Sequence, residues 1–161
     1  MAIKGARSED GRLTPHLIVR GAAEAVEFYQ RAFGARELYQ SPLPGGGGLH
    51  VHLQIERSMI MLTEEAPGHP DVKLASPVTL GGVSSLVEIF VKDVDTAYAR
   101  AVDAGAVPTL PLADTFWGDR YGWVTDPFGH IWALATAKEE LTPEQVHTRM
   151  MALVAEGRPE A

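Results

Sequence analysis

One feature narrows what this chain can fold into more than any other: it repeats itself. The segment VRGAAEAVEFYQRAFGA at 19–35 resembles VKDVDTAYARAVDAGA at 91–106, with Val19 and Val91 standing 72 residues apart. Each copy reads as the end of a strand running into a helix that a glycine stops, Gly34 in the first and Gly105 in the second. Each is led in by a strand, 14–19 and 86–91, and followed by three more: 37–41, 49–55 and 59–63, then 107–112, 121–125 and 130–136. One strand–helix–three-strand unit cannot cover its own sheet face, so two should pack together. The sequence therefore predicts an α+β fold of two tandem βαβββ modules, with curved mixed sheets around a shared cavity and a C-terminal helix. The expected divisions are a frayed 1–12, a first module 13–65, a linker 66–82 rich in proline and glycine, a second module 83–137, and a helix with tail at 138–161.

Within the first module, Leu49 to Ile55 alternates cleanly. Val51, Leu53 and Ile55 share one face, and His50, His52 and Gln54 share the other. A two-residue turn at Glu56 and Arg57 then sets His52 opposite Met61 and His50 opposite Thr63. In the second module, Asp126-Pro127-Phe128-Gly129 is a turn signal. Thr142, Pro143 and Gln145 read as a capping box with a first-turn proline, opening a helix whose apolar face carries Val146, Met150, Leu153 and Val154. This helix is expected to dock on the body or on a second subunit.

Composition excludes several classes. The 161 residues hold 14 Lys and Arg against 21 Asp and Glu, a formal net charge of −7, which opposes binding to nucleic acid or to an anionic membrane. The chain has no cysteine, which removes disulfides, thiolate nucleophiles and cysteine-based zinc sites. No apolar run approaches the roughly 20 residues of a membrane span, and 1–12 carries no signal-peptide core, so a cytoplasmic location is expected. The Gly45–Gly48 run lacks the Lys-Ser/Thr of a phosphate loop, no serine sits in a nucleophile elbow, and no methyl-donor cofactor signature appears.

The duplicated unit resembles the vicinal oxygen chelate superfamily of glyoxalases, bleomycin-resistance proteins and dioxygenases, and more narrowly its PhnB-like branch. The resemblance rests on Pro15-His16-Leu17, Phe28-Tyr29, Phe33-Gly34-Ala35, the His50 strand, Ser76-Pro77 with Gly81-Gly82, and Asp93-Val94-Asp95. Trp117-Gly118-Asp119-Arg120, Asp126-Pro127-Phe128-Gly129-His130 and Trp132 carry it further. Metalloenzymes of that superfamily hold a divalent ion with His, Gln or Glu at four equivalent strand positions. The resemblance carries those positions onto Thr14, Met61, Leu86 and Ala133, and the spacings 14 to 86 and 61 to 133 are both 72. None of these side chains is a strong donor for such an ion. The expectation is no metal and no cofactor, with glyoxalase and extradiol dioxygenase chemistry disfavoured.

Other candidates surround those four. His16 and Glu88, each two residues further on, share the faces of Thr14 and Leu86, and His50 and His52 lie on a neighbouring strand. These could form a displaced metal site, or His16 or His52 with Glu88 could act as a metal-free acid and base. Met59, Met61 and Phe90 offer an adaptable apolar lining. Trp117 and Arg120 can supply a stacking wall and an anion contact, whereas Asp119 is expected to fix its loop and Trp123 to pack in the core. Trp132 is expected beneath the sheet. The function this implies is a homodimeric, metal-free protein that binds a small organic molecule, cationic or aromatic, with an antibiotic-binding role. The alternatives are a metal-dependent lyase, isomerase or dioxygenase on the displaced site, or an acid–base enzyme.

Overall fold

A computed structural model describes residues 13–66 and 74–157. The expectation for 1–12, and those for 67–73 and 158–161, lie outside the described residues. The first module runs β1 (His16–Val19), α1 (Ala22–Phe33), β2 (Arg36–Pro42), β3 (Leu49–Ile55) and β4 (Ser58–Glu64), with a short 3-10 turn at Pro44–Gly46. A helical turn α2 (Pro77–Leu80) precedes the second module: β5 (Leu86–Phe90), α3 (Val94–Asp103), β6 (Val107–Asp114), β7 (Asp119–Thr125) and β8 (Ile131–Ala137). The chain then forms α4 (Pro143–Ala155).

Each module makes one four-stranded mixed sheet, in the orders β1-β4-β3-β2 and β5-β8-β7-β6. The repeat is preserved in the pairing. In the parallel pairs His16 stands opposite Met61 and Glu88 opposite Ala133, both members shifted by 72. The antiparallel partners are His52 with Met61 and Trp123 with Ala133, so the offset between β3 and β7 is 71. The turn at 126–130 absorbs the extra residue. His50 and His52 in one sheet therefore correspond to Tyr121 and Trp123 in the other.

Helical spacing puts Ala25, Val26, Phe28, Tyr29, Ala32 and Phe33 on the buried side of α1. Gly34 ends the helix in the left-handed region at φ 66°, where a side chain would be strained. At the other end Gly21 brings no capping side chain, and the Glu64 carboxylate accepts from Gly21 N at 2.9 Å and Ala22 N at 2.7 Å instead. On α3, Asp93 caps Thr96 N, and the small Ala97 and Ala101 are buried. The two helices pack on each other, and the helix-facing sides of both sheets join one apolar cluster from Leu17 and Val51 through to Val124, Trp132 and Leu134.

A single buried carboxylate fastens the modules together. Asp126 accepts from Tyr29 Oη at 2.6 Å, Trp132 Nε1 at 2.9 Å, and the backbone N–H groups of Phe128 and His130, both at 2.9 Å. The Asp-Pro-Phe-Gly turn is thus a fastening for both halves, and it draws Phe33 to 4.6 Å ring separation from Trp132.

The described residues 74–82 hold ordered local structure. Ser76 caps α2, and Glu65 gathers Ser76 N at 2.9 Å, Ser76 Oγ at 2.8 Å, Thr79 Oγ1 at 2.6 Å and Arg20 Nε at 2.6 Å. These bonds, that from Thr79 first, hold the Glu65 carboxyl at about 2. Proline and glycine composition gives no sign of this, because the carboxylate that organises the turn sits outside it. No residue of α4 is fully buried; Val146, Met150 and Leu153 on its apolar face are half-buried. No helix is long and apolar enough to cross a membrane among the described residues.

Candidate functional site

Strand alternation leaves each sheet with one face turned from the helices. On the first sheet that face carries His16 from β1, His50 and His52 from β3, and Met59, Met61 and Thr63 from β4; Thr14 lies just ahead of β1. On the second it carries Leu86, Glu88 and Phe90 from β5, Ala133 and Ala135 from β8, and Tyr121 and Trp123 from β7.

The first face holds a cluster of imidazoles. His16 Nε2 lies 2.6 Å from Thr63 Oγ1, and His50 Nδ1 lies 2.7 Å from the same oxygen. His50 Nε2 in turn lies 2.8 Å from His52 Nε2. The His16 and His50 rings meet edge to face at 5.4 Å, and Tyr39 from β2 lies 5.3 Å from His52. His52 is only 4% exposed while His16 is open to solvent. Partial burial, and then the neighbouring His50 charge, push the His16 imidazole below the ordinary histidine range. Sequence alternation puts these groups on one face, but the hydroxyl that joins them, Thr63, did not stand out as a functional residue.

The second face is aromatic and acidic. Glu88 stands beside Ala133, whose small side chain leaves room, and Trp123 stands on the other side of that alanine. Tyr121 and Phe90 flank Ala135 in the same way. The Tyr121 and Trp123 rings are 6.3 Å apart, and Trp117 reaches Tyr121 at 5.5 Å. Loss of solvent, and then the nearby Asp119, raise the Glu88 carboxyl above its usual range. Trp123 is therefore not a core residue, because Gly122 and Val124 take the helix side of β7. Its indole Nε1 is buried with no hydrogen-bond partner among the described residues.

Arg120 is placed elsewhere. It shares the helix side of β7 and binds both oxygens of Asp95 on α3, with Nη2 2.7 Å from Oδ1 and Nε 2.8 Å from Oδ2. Its Nη1 reaches Asp114 at 3.2 Å. Two carboxylates occupy this guanidinium, so it clamps β6, β7 and α3 together in place of the anion contact expected of it. Trp117 donates Nε1–H to Asp119 at 3.0 Å, which agrees with the loop-fixing expected of Asp119.

The positions that the resemblance assigns to a divalent ion are Thr14, Met61, Leu86 and Ala133. Met61 and Ala133 stand opposite His16 and Glu88, and neither offers nitrogen or oxygen. His16 Nε2 and both ring nitrogens of His50 lie within hydrogen-bond distance of Thr63 or His52. No group of three or more His, Asp or Glu is arranged to hold a metal among the described residues. A depression of about 300 Å³ lies on α4, lined by Glu144, Gln145, Thr148 and Arg149, away from both sheets.

Comparison with known proteins agrees with this architecture. The pattern of the Glyoxalase/Bleomycin resistance protein/Dioxygenase superfamily matches residues 12–134. The uncharacterized protein Rv0887c of Mycobacterium tuberculosis is 41% identical over 138 residues, covering 86% of this chain and 81% of its own. The X-ray structure of the Arabidopsis thaliana gene product At5g48480 is similar with a TM-score of 0.62 at 31% identity, over 77% of this chain and 97% of that one. The crystal structure of TioX from Micromonospora sp. ML1 gives a TM-score of 0.58 at 27% identity, over 78% and 98%.

Proposed function

Because this chain belongs to the Glyoxalase/Bleomycin resistance protein/Dioxygenase superfamily, we propose that it binds a small organic molecule without the superfamily's usual metal, on the open faces of its two sheets. The second face carries the reading. Glu88 with Trp123, Tyr121 and Phe90 around an alanine floor suits a planar or quaternary cation, because aromatic faces and one carboxylate both attract positive charge. The unpartnered Trp123 Nε1 adds a donor for a ligand acceptor. The net charge of −7 favours the same sign of ligand. An antibiotic-binding role fits this chemistry.

The active form in this reading is a homodimer. Phe90 is 58% exposed and Leu86 37%, which is costly for apolar groups on a ligand face unless another surface covers them. A second copy laid over the open faces would cover them and close the binding space, in the PhnB-like manner.

Tryptophan fluorescence tests the proposal. Titration with a planar aromatic cation, beside a neutral and an anionic analogue of the same ring, should give saturable one-to-one quenching with preference for the cation. Glu88→Gln should lose about tenfold in affinity, of the order of one desolvated charge contact. Equal binding of all three probes would overturn the reading.

A further inference from the structure

The open face of the second sheet has a length and a charge pattern that one positive group does not use up. Trp117, Tyr121 and Trp123 form a row along β7, each meeting the next edge to face, at 5.5 Å and then 6.3 Å. Ala133 and Ala135 of β8 are fully buried beside this row, so the larger neighbours cover the sheet and supply the surface a ligand would meet. A carboxylate stands at each end of the row. At one end Asp119 Oδ2 accepts from the Trp117 indole at 3.0 Å. At the other, Glu88 lies across Ala133 from Trp123. Asp119, Tyr121 and Trp123 alternate along β7 opposite Ala137, Ala135 and Ala133, so strand pleating keeps both acids on one face. The same register holds them apart, because Ala133 and Ala137, their partners on β8, are separated by about 13 Å of strand.

Neither acid is neutralised within the described residues. An indole N–H carries no charge, so Asp119 stays an anion where Trp117 donates to it. Glu88 has no hydrogen-bond or ion-pair partner among the described residues, and the Asp119 charge adds to its loss of solvent in raising its carboxyl. The neighbouring guanidinium of Arg120 lies on the other side of β7, held by Asp95 and Asp114. Two like charges are thus kept in each other's field with a run of aromatic rings between them, and those rings also attract cations. A ligand with one positive group can answer one carboxylate and leaves the other unmet.

We propose that this face takes an elongated, flat ligand with a positive centre at each end, one against Glu88 and one against Asp119, the aromatic row lying along its length. This rests on the cation-binding reading above and narrows it to a dication. Phe90, across Ala135 from Tyr121, flanks the middle of the ligand from β5. Asp119 then has two tasks. Its Oδ2 fixes Trp117, and its Oδ1 meets the far end of the ligand.

Calorimetric titration of the full chain with three two-ring probes tests this. They are N-methyl-4-phenylpyridinium, with one charge; N,N′-dimethyl-4,4′-bipyridinium, with a charge at each end; and its 2,2′ isomer, with the same two charges close together. The 4,4′ dication should bind about tenfold tighter than the monocation, the worth of one further charge contact, and the 2,2′ isomer should lose most of that gain. Asp119→Asn keeps an acceptor for Trp117 and should bring the 4,4′ dication down to the affinity of the monocation. Asp103→Asn removes the same charge from an exposed position on α3 and should preserve the tenfold ratio. Equal affinity for the monocation and both dications would overturn the proposal and leave cation binding standing. An Asp119→Asn variant that keeps the ratio would overturn it as well. Failure of every probe to bind the natural protein would overturn both readings.

Discussion

Asp126 illustrates how much one residue can determine. It is 4% exposed and accepts four hydrogen bonds, two of them from side chains, Tyr29 and Trp132, that belong to different modules. Burial, and then the adjacent Asp126 charge, push the Tyr29 hydroxyl well above its ordinary range, so it stays protonated and keeps donating. Asp126→Ala leaves those donors buried without a partner and should cost about 3 kcal/mol or more, read from urea unfolding. His16 supplies a pH signature. Its folded-state value is below the 6.5 of a free histidine, so the folded form binds fewer protons than the unfolded one just below that pH. Stability should therefore be full above about pH 6.5 and fall as the solution is acidified through the lowered value. His16→Asn should flatten that slope in thermal melts between pH 7 and pH 5.

At the level of elements, the segment joining the modules shows the same linkage in a different window. Glu65 falls from 4.5 to about 2 on folding, so its contribution is present above about pH 4.5 and lost as the pH drops toward 2. Glu65→Gln should remove that part of the acid sensitivity and, at neutral pH, free α2. Increased amide exchange at Thr79 and Leu80 would report it. The C-terminal helix is a contrasting case. Its capping box is in place, but its ion pair, Arg149 with Glu139 at 2.7 Å, is exposed and no residue of α4 is fully buried. Exposed pairs contribute about 1 kcal/mol at most. Amide exchange in α4 should then be much faster than in α1 when the protein is dilute. Protection that rises with concentration would identify α4 as part of the dimer contact.

For the whole molecule, the proposed pairing of copies makes assembly and binding one question. Phe90→Glu places a charge where a second copy is expected to lie. Sedimentation should show a loss of dimer, and the same variant should weaken cation binding with little change in far-UV dichroism. A wild-type chain that sediments as a monomer at every concentration would overturn the pairing. Metal content offers an independent check. Protein purified without chelator and exposed to nickel, zinc, manganese or iron(II) should retain less than a stoichiometric amount after dialysis. Retained metal would mean that the imidazole cluster opens to ligate it.

Much of this fold is written locally. The 72-residue repeat, the glycine stops and the period-two alternation of β3 specify two βαβββ units, because backbone periodicity is a property of neighbouring residues. They also specify that His52 faces Met61 and His50 faces Thr63, since a two-residue turn fixes register. Tertiary structure decided what those side chains do next. Arg120 went to Asp95 and Asp114, Trp123 to the open face beside Ala133, and Glu65 to a turn that composition marks only as a break. Each of these outcomes depends on a partner brought in by another element or another loop, and no periodicity within a segment records which partner will arrive. The sequence put three histidines on one sheet face, but only the packed sheet brought their nitrogens and the Thr63 hydroxyl within hydrogen-bonding distance.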